Sequence, residues 1–182
     1  MPRNSTTVST KQQRIALLAE QSSQMRFTSL AYLMDLDWLR EAYRRTRKDA
    51  AVGVDGQTAA DYEQDLEANL QSLLDRAQSG LYTAPPVKRV QIPKPGTPPR
   101  TRPIGIPSTE DKLLQTGVKR ILEAIYEPDF LPCSFGYRLG RGPQDAVKDL
   151  TQALQFGRYS YVVEADICGF FDHIDHHQLG AM

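Results

Sequence analysis

The 182-residue sequence is poor in the residues that build metal clusters and disulfide frameworks, since it holds two cysteines and three histidines. Cys133 and Cys168 lie far apart and form no C-x-x-C pair, so neither a zinc site nor a disulfide framework is predicted. Such cysteine usage fits a reducing compartment, and we expect a cytoplasmic protein.

Long apolar runs are also missing. The N-terminal region has one short run, Ile15 to Ala19, and Glu20 follows it. This run is too short for the core of a signal peptide or for a membrane span, so we expect no membrane partner. A composition of 40% hydrophobic and 24% charged residues is ordinary for a globular domain with one core.

A net charge of one sign is absent, because 22 Lys and Arg balance 22 Asp and Glu. The whole chain therefore gives no electrostatic argument for nucleic acid. Between residues 87 and 120, however, eight basic residues stand against two acidic ones. This local excess suits a polyanion, although a basic cluster by itself is usually a solvated surface. The glycine-rich loop CSFGYRLGRGPQ, residues 133–144, matches neither the dinucleotide fingerprint nor a P-loop.

Apolar residues at helical spacing predict five helices. Two of them begin with capping-box spacing, Thr58 with Asp61 and Ser108 with Asp111. Residues 1–10 are polar and are expected to fray. In the fourth helix we expect a buried stripe of Leu114, Val118, Ile121, Leu122 and Ile125. The predicted helices cover about residues 11–26, 35–48, 58–80, 108–128 and 143–157.

Residues 82–107 hold eight of the twelve prolines, which excludes a helix. Alternating apolar residues on both sides of KPGTPPRT predict a β-hairpin with a long tip. Lys94 and Arg102 then lie at the two ends of that tip, close enough to act on one anion. The alternative is a solvated proline-rich loop.

The segment RYSYVVEADI, residues 158–167, alternates like a strand. Glu164 and Asp166 then share one face, about 7 Å apart at twice the strand rise. Two carboxylates on one face can hold a hard cation such as Mg²⁺ together with substrate phosphates. The alternative is that Asp166 caps the turn after the strand.

Four ordered blocks, at residues 53–56, 92–115, 134–147 and 162–176, resemble the first sequence blocks of bacterial group II intron reverse transcriptases. They are GVDG, IPKPGTPPRTRPIGIPSTEDKLLQ, SFGYRLGRGPQDAV and VVEADICGFFDHIDH. The resemblance covers roughly residues 35–182. It implies an α+β fold, helix-rich with a β-hairpin, that forms the fingers and the first palm strand of a right-hand polymerase.

The resemblance also implies a division of the chain and a set of partners. The expected parts are an N-terminal helical extension at 1–34, fingers at 35–157 and the start of a truncated palm at 158–182. The expected activity is RNA-directed DNA polymerisation in support of intron mobility and splicing. The expected partners are an RNA template such as the intron RNA, a DNA primer and a deoxynucleoside triphosphate (dNTP), with Mg²⁺ as cofactor.

By the same resemblance, Asp166 is a catalytic residue and one of the ligands of two Mg²⁺ ions, and Ile167 offers its backbone carbonyl to the second ion. Phe171 would lie under the incoming sugar and exclude a 2′-hydroxyl. The remaining roles fall on basic residues: the triphosphate is held by Lys94 and Arg102, and the template backbone is contacted by Arg138 and Arg141.

Two departures from the family pattern matter. Cys168 stands where the family more often has a basic residue, which alters local contacts but not metal binding. The sequence ends at HHQLGAM, before any block resembling the Y-x-D-D loop that carries the other catalytic carboxylates. We therefore expect this chain to be inactive alone, unless a second polypeptide supplies a C-terminal half. Two alternatives stay open: a non-catalytic RNA-binding module, and the poorly folding product of a degenerate reading frame.

Three histidines near Asp172 and Asp175 resemble a metal cluster. Because Asp175 and His176 recur in the family block as the start of a helix, we expect structural capping there instead. The other two histidines are His173 and His177.

Overall fold

The computed structural model describes residues 4–22, 25–96 and 100–181, with the side chains of residues 4–7 and 100 outside the description. The chain divides into two units, Met1–Phe130 and Leu131–Met182. The first holds α1 (Asn4–Gln21), α2 (Leu36–Arg45), α3 (Ala59–Gln64), α4 (Leu66–Gln78), β1 (Lys88–Lys94), β2 (Arg100–Ile106) and α5 (Thr109–Tyr126). The second holds α6 (Pro143–Phe156) and α7 (His176–Ala181). Short 3₁₀ turns lie at Leu30–Leu33, Glu127–Asp129 and Phe170–His173.

This composition confirms the expected helix-rich α+β class with a β-hairpin. Within the described residues, no helix is long and apolar enough to cross a membrane.

The core of the first unit forms where α1, α2, α4 and α5 meet. Trp38 of α2 is fully buried, and its indole nitrogen donates to the Gly117 carbonyl of α5 at 3.0 Å. A Cβ atom added at Gly117 would lie 3.0 Å from the Met34 sulfur and 3.6 Å from Trp38 Cδ1. The glycine therefore lets α2 approach α5 closely enough for this hydrogen bond.

The N-terminal helix begins earlier than the sequence indicates. α1 starts at Asn4, so the expectation that residues 4–10 fray is wrong. Val8 is fully buried in the core and anchors these first turns, which polarity alone did not reveal. Further along α1, Lys11 pairs with Asp35 at the start of α2.

The predicted helix at 58–80 is two helices, because the chain breaks at Asp65. Thr58 and Asp61 make the expected capping box, with each side chain accepting from the other residue's amide. At the break, Asn69 donates to the Tyr62 carbonyl at 3.0 Å and so satisfies a group that a continuous helix would have bonded internally. Gly80, at φ 74, ends α4.

The buried face of α5 differs from the predicted stripe. Val118 and Leu122 are 40% and 44% exposed, while Leu113, Gly117, Ile121 and Ala124 face the core. Ile121 therefore belongs to both sets, and Leu114 and Ile125 of the predicted stripe are partly buried against the core. The prediction followed the large apolar residues, but close helix packing selects the face that carries the small residues Gly117 and Ala124.

The hairpin prediction is confirmed in place of an unpaired, solvated proline-rich loop, but Arg102 lies within β2 and not at the end of the tip as predicted. β1 and β2 pair antiparallel, with Lys94 opposite Arg100, Ile92 opposite Arg102 and Lys88 opposite Ile106. Residues 97–99 of the predicted tip lie outside the described residues.

The second unit has no buried residue within residues 131–181. α6 forms as predicted, but Val147, Leu150 and Leu154 remain exposed. The predicted strand at 158–167, the first palm strand of the expected fold, is wrong: the segment forms no ladder. A strand needs a neighbouring strand to bond its backbone groups. Among the described residues there is one sheet, and it consists of the two hairpin strands, which pair with each other.

Candidate nucleotide-binding site

The register of the hairpin puts two of the predicted site residues on one face. Residues that pair directly in an antiparallel ladder project to the same side, so Arg102 shares a face with Ile92. Lys94, two residues beyond Ile92, projects to that side as well, which makes Lys94 and Arg102 diagonal neighbours about 7–8 Å apart. Both are exposed. One phosphate chain could therefore contact both cations.

Sequence analysis missed how firmly the end of β2 is attached. Gly53 lies so close to the start of α5 that an added Cβ would be 2.7 Å from Ser108 Cα and 2.9 Å from the Pro107 carbonyl oxygen. Thr109 Oγ1 donates to the Gln57 carbonyl at 2.8 Å. These contacts join the GVDG block to the block that contains the hairpin. The sequence signal for this contact was Gly53 in the GVDG turn, but a glycine does not indicate which part of the chain packs against it.

The segment with the predicted metal ligands is open to solvent. Asp166 and Glu164 are exposed, and Ile167 follows them without regular structure. A carboxylate and a backbone carbonyl are oxygen ligands of the type that Mg²⁺ accepts. Within the described ranges, however, no group of three or more His, Cys, Asp or Glu side chains could hold a metal ion. The donor set is therefore suitable in type, and its two carboxylates match the one or two that Mg²⁺ takes together with substrate phosphates.

Phe171 lies in the 3₁₀ turn at Phe170–His173, with its ring exposed and in edge contact with Phe170 at a centroid distance of 5.2 Å. The turn opens at Gly169, whose φ of 60 favours glycine. His173 Nδ1 lies 2.7 Å from the Gly169 carbonyl oxygen. These contacts are local to the turn.

The expectation of structural capping is confirmed after this turn. Asp175 Oδ1 accepts from the backbone amides of His177 and Gln178 at 2.9 and 3.1 Å, at the start of α7.

The two arginines predicted to contact the template hold their own loop together. Arg138 Nη1 donates to the carbonyls of Leu131 and Ser134 at 3.0 and 2.9 Å. Arg141 Nη1 donates to the Pro132 carbonyl, and its guanidinium lies 5.6 Å from the Phe135 ring centroid. The template contact stays a prediction, and these bonds describe a structural role for the same side chains.

The similarity of this chain to a known protein family begins in the hairpin. Residues 92–180 match the family model of reverse transcriptase (RNA-dependent DNA polymerase). These residues belong to the reverse transcriptase family. The match starts at Ile92 in β1 and covers β2, α5 and the whole second unit up to Gly180, so it includes every predicted site residue.

Individual relatives agree with this family and extend the similarity toward the N-terminus. The chain is 33% identical over 165 residues to the group II intron-encoded protein LtrA of Lactococcus lactis, which covers 90% of this chain and 27% of that protein. It is also 33% identical over 179 residues to protein YkfC of Escherichia coli, covering 94% of this chain and 46% of YkfC. A putative COX1/OXI3 intron 1 protein of Saccharomyces cerevisiae is 26% identical over 147 residues.

These findings confirm the resemblance to group II intron reverse transcriptases. The chain spans between about a quarter and a half of the length of the two bacterial relatives. The predicted site residues are divided between the two units. Lys94 and Arg102 of the hairpin lie in the first unit, and the second unit contains Arg138, Arg141, Asp166 and Phe171.

Proposed function

We propose that the chain provides the nucleotide-binding fingers and one metal-binding carboxylate of an RNA-directed DNA polymerase of the group II intron type. The observation that carries the proposal is the hairpin register, which sets Lys94 and Arg102 as diagonal neighbours on one exposed face of a reverse transcriptase segment. In this role Lys94 presents a point charge to the triphosphate, and Arg102 binds phosphate oxygens with its planar fork.

The remaining roles belong to the second unit. Asp166 and the carbonyl of Ile167 are proposed as ligands of Mg²⁺, which supplies activation of the primer 3′-hydroxyl and stabilisation of the leaving pyrophosphate when bound. Phe171 excludes a ribose 2′-hydroxyl by contact, and Arg138 and Arg141 contact the template backbone. Because these 182 residues hold no block resembling Y-x-D-D, the proposal assigns no polymerase activity to this chain alone.

The test of the nucleotide site is the binding of dATP with Mg²⁺ to the purified chain by isothermal titration calorimetry. Lys94→Ala and Arg102→Ala should each weaken binding about ten-fold, because each removes a charge-assisted hydrogen bond. Arg89→Ala is the matched control, since Arg89 is a cation of the same hairpin on the opposite face. Equal losses for all three variants would contradict a one-sided nucleotide site.

The test of the catalytic role is primer extension on an RNA template with Mg²⁺ and dNTPs. The expected result is no extension by this chain alone, and extension when a separately expressed polypeptide with the Y-x-D-D block is added. Asp166→Asn should abolish the restored activity. Extension by the chain alone would overturn the inactive-fragment proposal, and silence of the mixture with both polypeptides folded would overturn the catalytic role of Asp166.

A second candidate function is RNA binding without catalysis by the basic hairpin. It is favoured by the exposure of cations on both faces, with Lys88, Lys94 and Arg102 on one face and Arg89 on the other. Phosphate-backbone binding of this kind should weaken steeply with salt, and each lost cation should reduce the salt dependence by a similar amount. In contrast to the nucleotide site, this function predicts a loss for Arg89→Ala as large as for Lys94→Ala.

A further inference from the structure

The hairpin projects from the first unit with little packing of its own. Arg89, Val90, Gln91, Pro93 and Thr101 are all exposed, and the extensive contacts of β1 and β2 are with one another. Isolated two-stranded hairpins are marginally stable in water. The orientation of Lys94 and Arg102 must therefore depend on where the hairpin is anchored. We call its two anchoring points the feet: Tyr82, which precedes β1, and the segment from Ser108 to Asp111, which follows β2.

The first foot is held at three points of Tyr82. Its backbone amide donates to the Arg76 carbonyl of α4 at 2.9 Å. Its ring lies 5.6 Å from the Arg76 guanidinium, which also pairs with Glu110 of α5. Its hydroxyl donates to Asp111 Oδ1 at 3.1 Å. Burial and the nearby charge of Asp111 raise the pKa of Tyr82, so the hydroxyl remains a donor at neutral pH.

The second foot is built around Asp111, which is 7% exposed. Its backbone amide donates to the Ser108 hydroxyl at 3.2 Å, the cap of α5. Its carboxylate accepts from Gln115 Nε2 at 2.8 Å in addition to Tyr82. A buried carboxylate is tolerated when hydrogen-bond donors compensate it, and the hydroxyl of Tyr82 is one of those donors.

The Tyr82–Asp111 hydrogen bond thus joins residues 29 positions apart, one on each side of the hairpin. We propose that Tyr82 and Asp111 form a clamp on the two feet that positions Lys94 and Arg102 toward the triphosphate. Both are positioning residues, because they act through the hairpin and touch no ligand. The proposal rests on the proposed nucleotide site, but its first test, amide hydrogen exchange of the hairpin, does not depend on nucleotide binding.

The test compares Tyr82→Phe with Tyr43→Phe. Tyr43 is a matched control because its buried hydroxyl donates to the Ala59 carbonyl at 3.1 Å, a hydrogen bond that ends on neither foot. The two variants should lose similar global stability. Amide hydrogen exchange of β1 and β2 should accelerate roughly five-fold in Tyr82→Phe, as expected for the loss of one partly buried hydrogen bond, and stay unchanged in Tyr43→Phe.

The second readout is the dissociation constant for dATP with Mg²⁺. It should rise by roughly three- to five-fold in Tyr82→Phe and stay at the wild-type value in Tyr43→Phe, because a freer hairpin presents the two cations less often. Asp111→Asn should keep hairpin hydrogen exchange and dATP affinity at their wild-type values, since the amide oxygen still accepts from Tyr82. Asp111→Ala should accelerate the exchange and weaken dATP binding as Tyr82→Phe does. If Asp111→Ala does not fold, Tyr82→Phe and Asp111→Asn decide the question.

The outcomes separate the two proposals. If wild-type dATP affinity does not depend on Lys94 and Arg102, the proposed nucleotide site is wrong, and hydrogen exchange still tests the clamp. If Tyr82→Phe and Tyr43→Phe behave alike in hydrogen exchange, the clamp is wrong whatever the nucleotide data show. Faster exchange in Tyr82→Phe with unchanged dATP affinity would also overturn the positioning role.

Discussion

The two units of the chain carry similar amphipathic helices but differ in what covers them. In the first, α2, α4 and α5 bury Trp38, Leu39, Leu70 and Leu113 completely. In the second, α6 has a comparable apolar stripe, yet Leu150 is 53% exposed and no residue in 131–181 is buried. An amphipathic pattern therefore specifies a face that can pack, and a partner decides whether it does.

The same difference separates the two groups of proposed site residues. Lys94 and Arg102 lie on a hairpin whose feet are bonded to a closed helical core. Asp166 lies on an exposed segment that pairs with no strand among the described residues, and Phe171 lies in the exposed 3₁₀ turn that follows it. The proposed nucleotide contacts therefore rest on structure within this chain, while the proposed metal ligands lie on a segment that pairs with no described strand. This contrast gives the following expectations, the largest effect first.

The largest effect should come from the core of the first unit. Trp38→Ala removes a buried aromatic side chain and its hydrogen bond to Gly117, and should lower the free energy of unfolding by about 3–5 kcal/mol. Leu150→Ala, at the exposed face of α6, should change it by less than about 1 kcal/mol. Urea denaturation followed by circular dichroism measures both. A comparable loss for Leu150→Ala would mean that α6 is covered in solution.

A smaller effect should come from the contact between the GVDG turn and α5. Gly53→Ala places a Cβ atom within 2.9 Å of the backbone of Pro107 and Ser108, which cannot move as a flexible side chain would. We expect a loss of about 1–3 kcal/mol from this overpacking. Gly136→Ala in the second unit meets nothing within 4 Å and is the control. Thermal unfolding of the two variants compares them, and equal melting temperatures would contradict the contact.

The next loss of stability should come from the contact between α1 and α5. Arg120 is 5% exposed, and its guanidinium lies 4.9 Å from the Trp38 ring and donates to Gln12 Oε1 at 2.6 Å. Gln12 in turn donates to the Arg120 carbonyl at 3.1 Å. Gln12→Ala leaves the buried cation without this acceptor and should cost about 1–3 kcal/mol. Gln13→Ala, at the exposed neighbouring position, should be neutral by the same urea measurement.

The sequence predicted the elements whose signals are local. The capping residues Thr58 and Ser108, the hairpin and the start of α7 at Asp175 depend on neighbours within a few positions, and all of them form. The break at Asp65 and the inward face of α5 depend on packing between helices, which apolar spacing does not report. Residues 158–167 show the limit most clearly, because their alternation is strand-like and a strand needs a partner.

The candidate site divides in the same way. The proximity of Lys94 and Arg102 could be predicted from sequence because hairpin geometry relates residues through one turn, although Lys94 pairs with Arg100 and Arg102 lies two residues further along β2. Tyr82 and Asp111 could not, since a tyrosine before a proline-rich segment is no motif, and the capping pattern assigned Asp111 to the helix start alone. Their contact arises where the residue Tyr82, bonded to the end of α4, meets the first turn of α5.

The smallest expected effect is a pH dependence of the first unit. Burial of Glu41 opposes its ionisation, but the hydrogen bond from Arg45 and the charges of Arg44, Arg45 and Arg120 outweigh it and lower the pKa of Glu41. A carboxyl group with a lowered pKa in the folded state stabilises the fold above its ordinary value of 4.5, and this stabilisation is lost as the pH falls through the folded-state pKa. Glu41→Gln should therefore reduce the stability at pH 7 by about 1 kcal/mol and have less effect at pH 3. Urea midpoints at the two pH values test this, and a larger loss at pH 3 would show that Glu41 is stabilised in its neutral form.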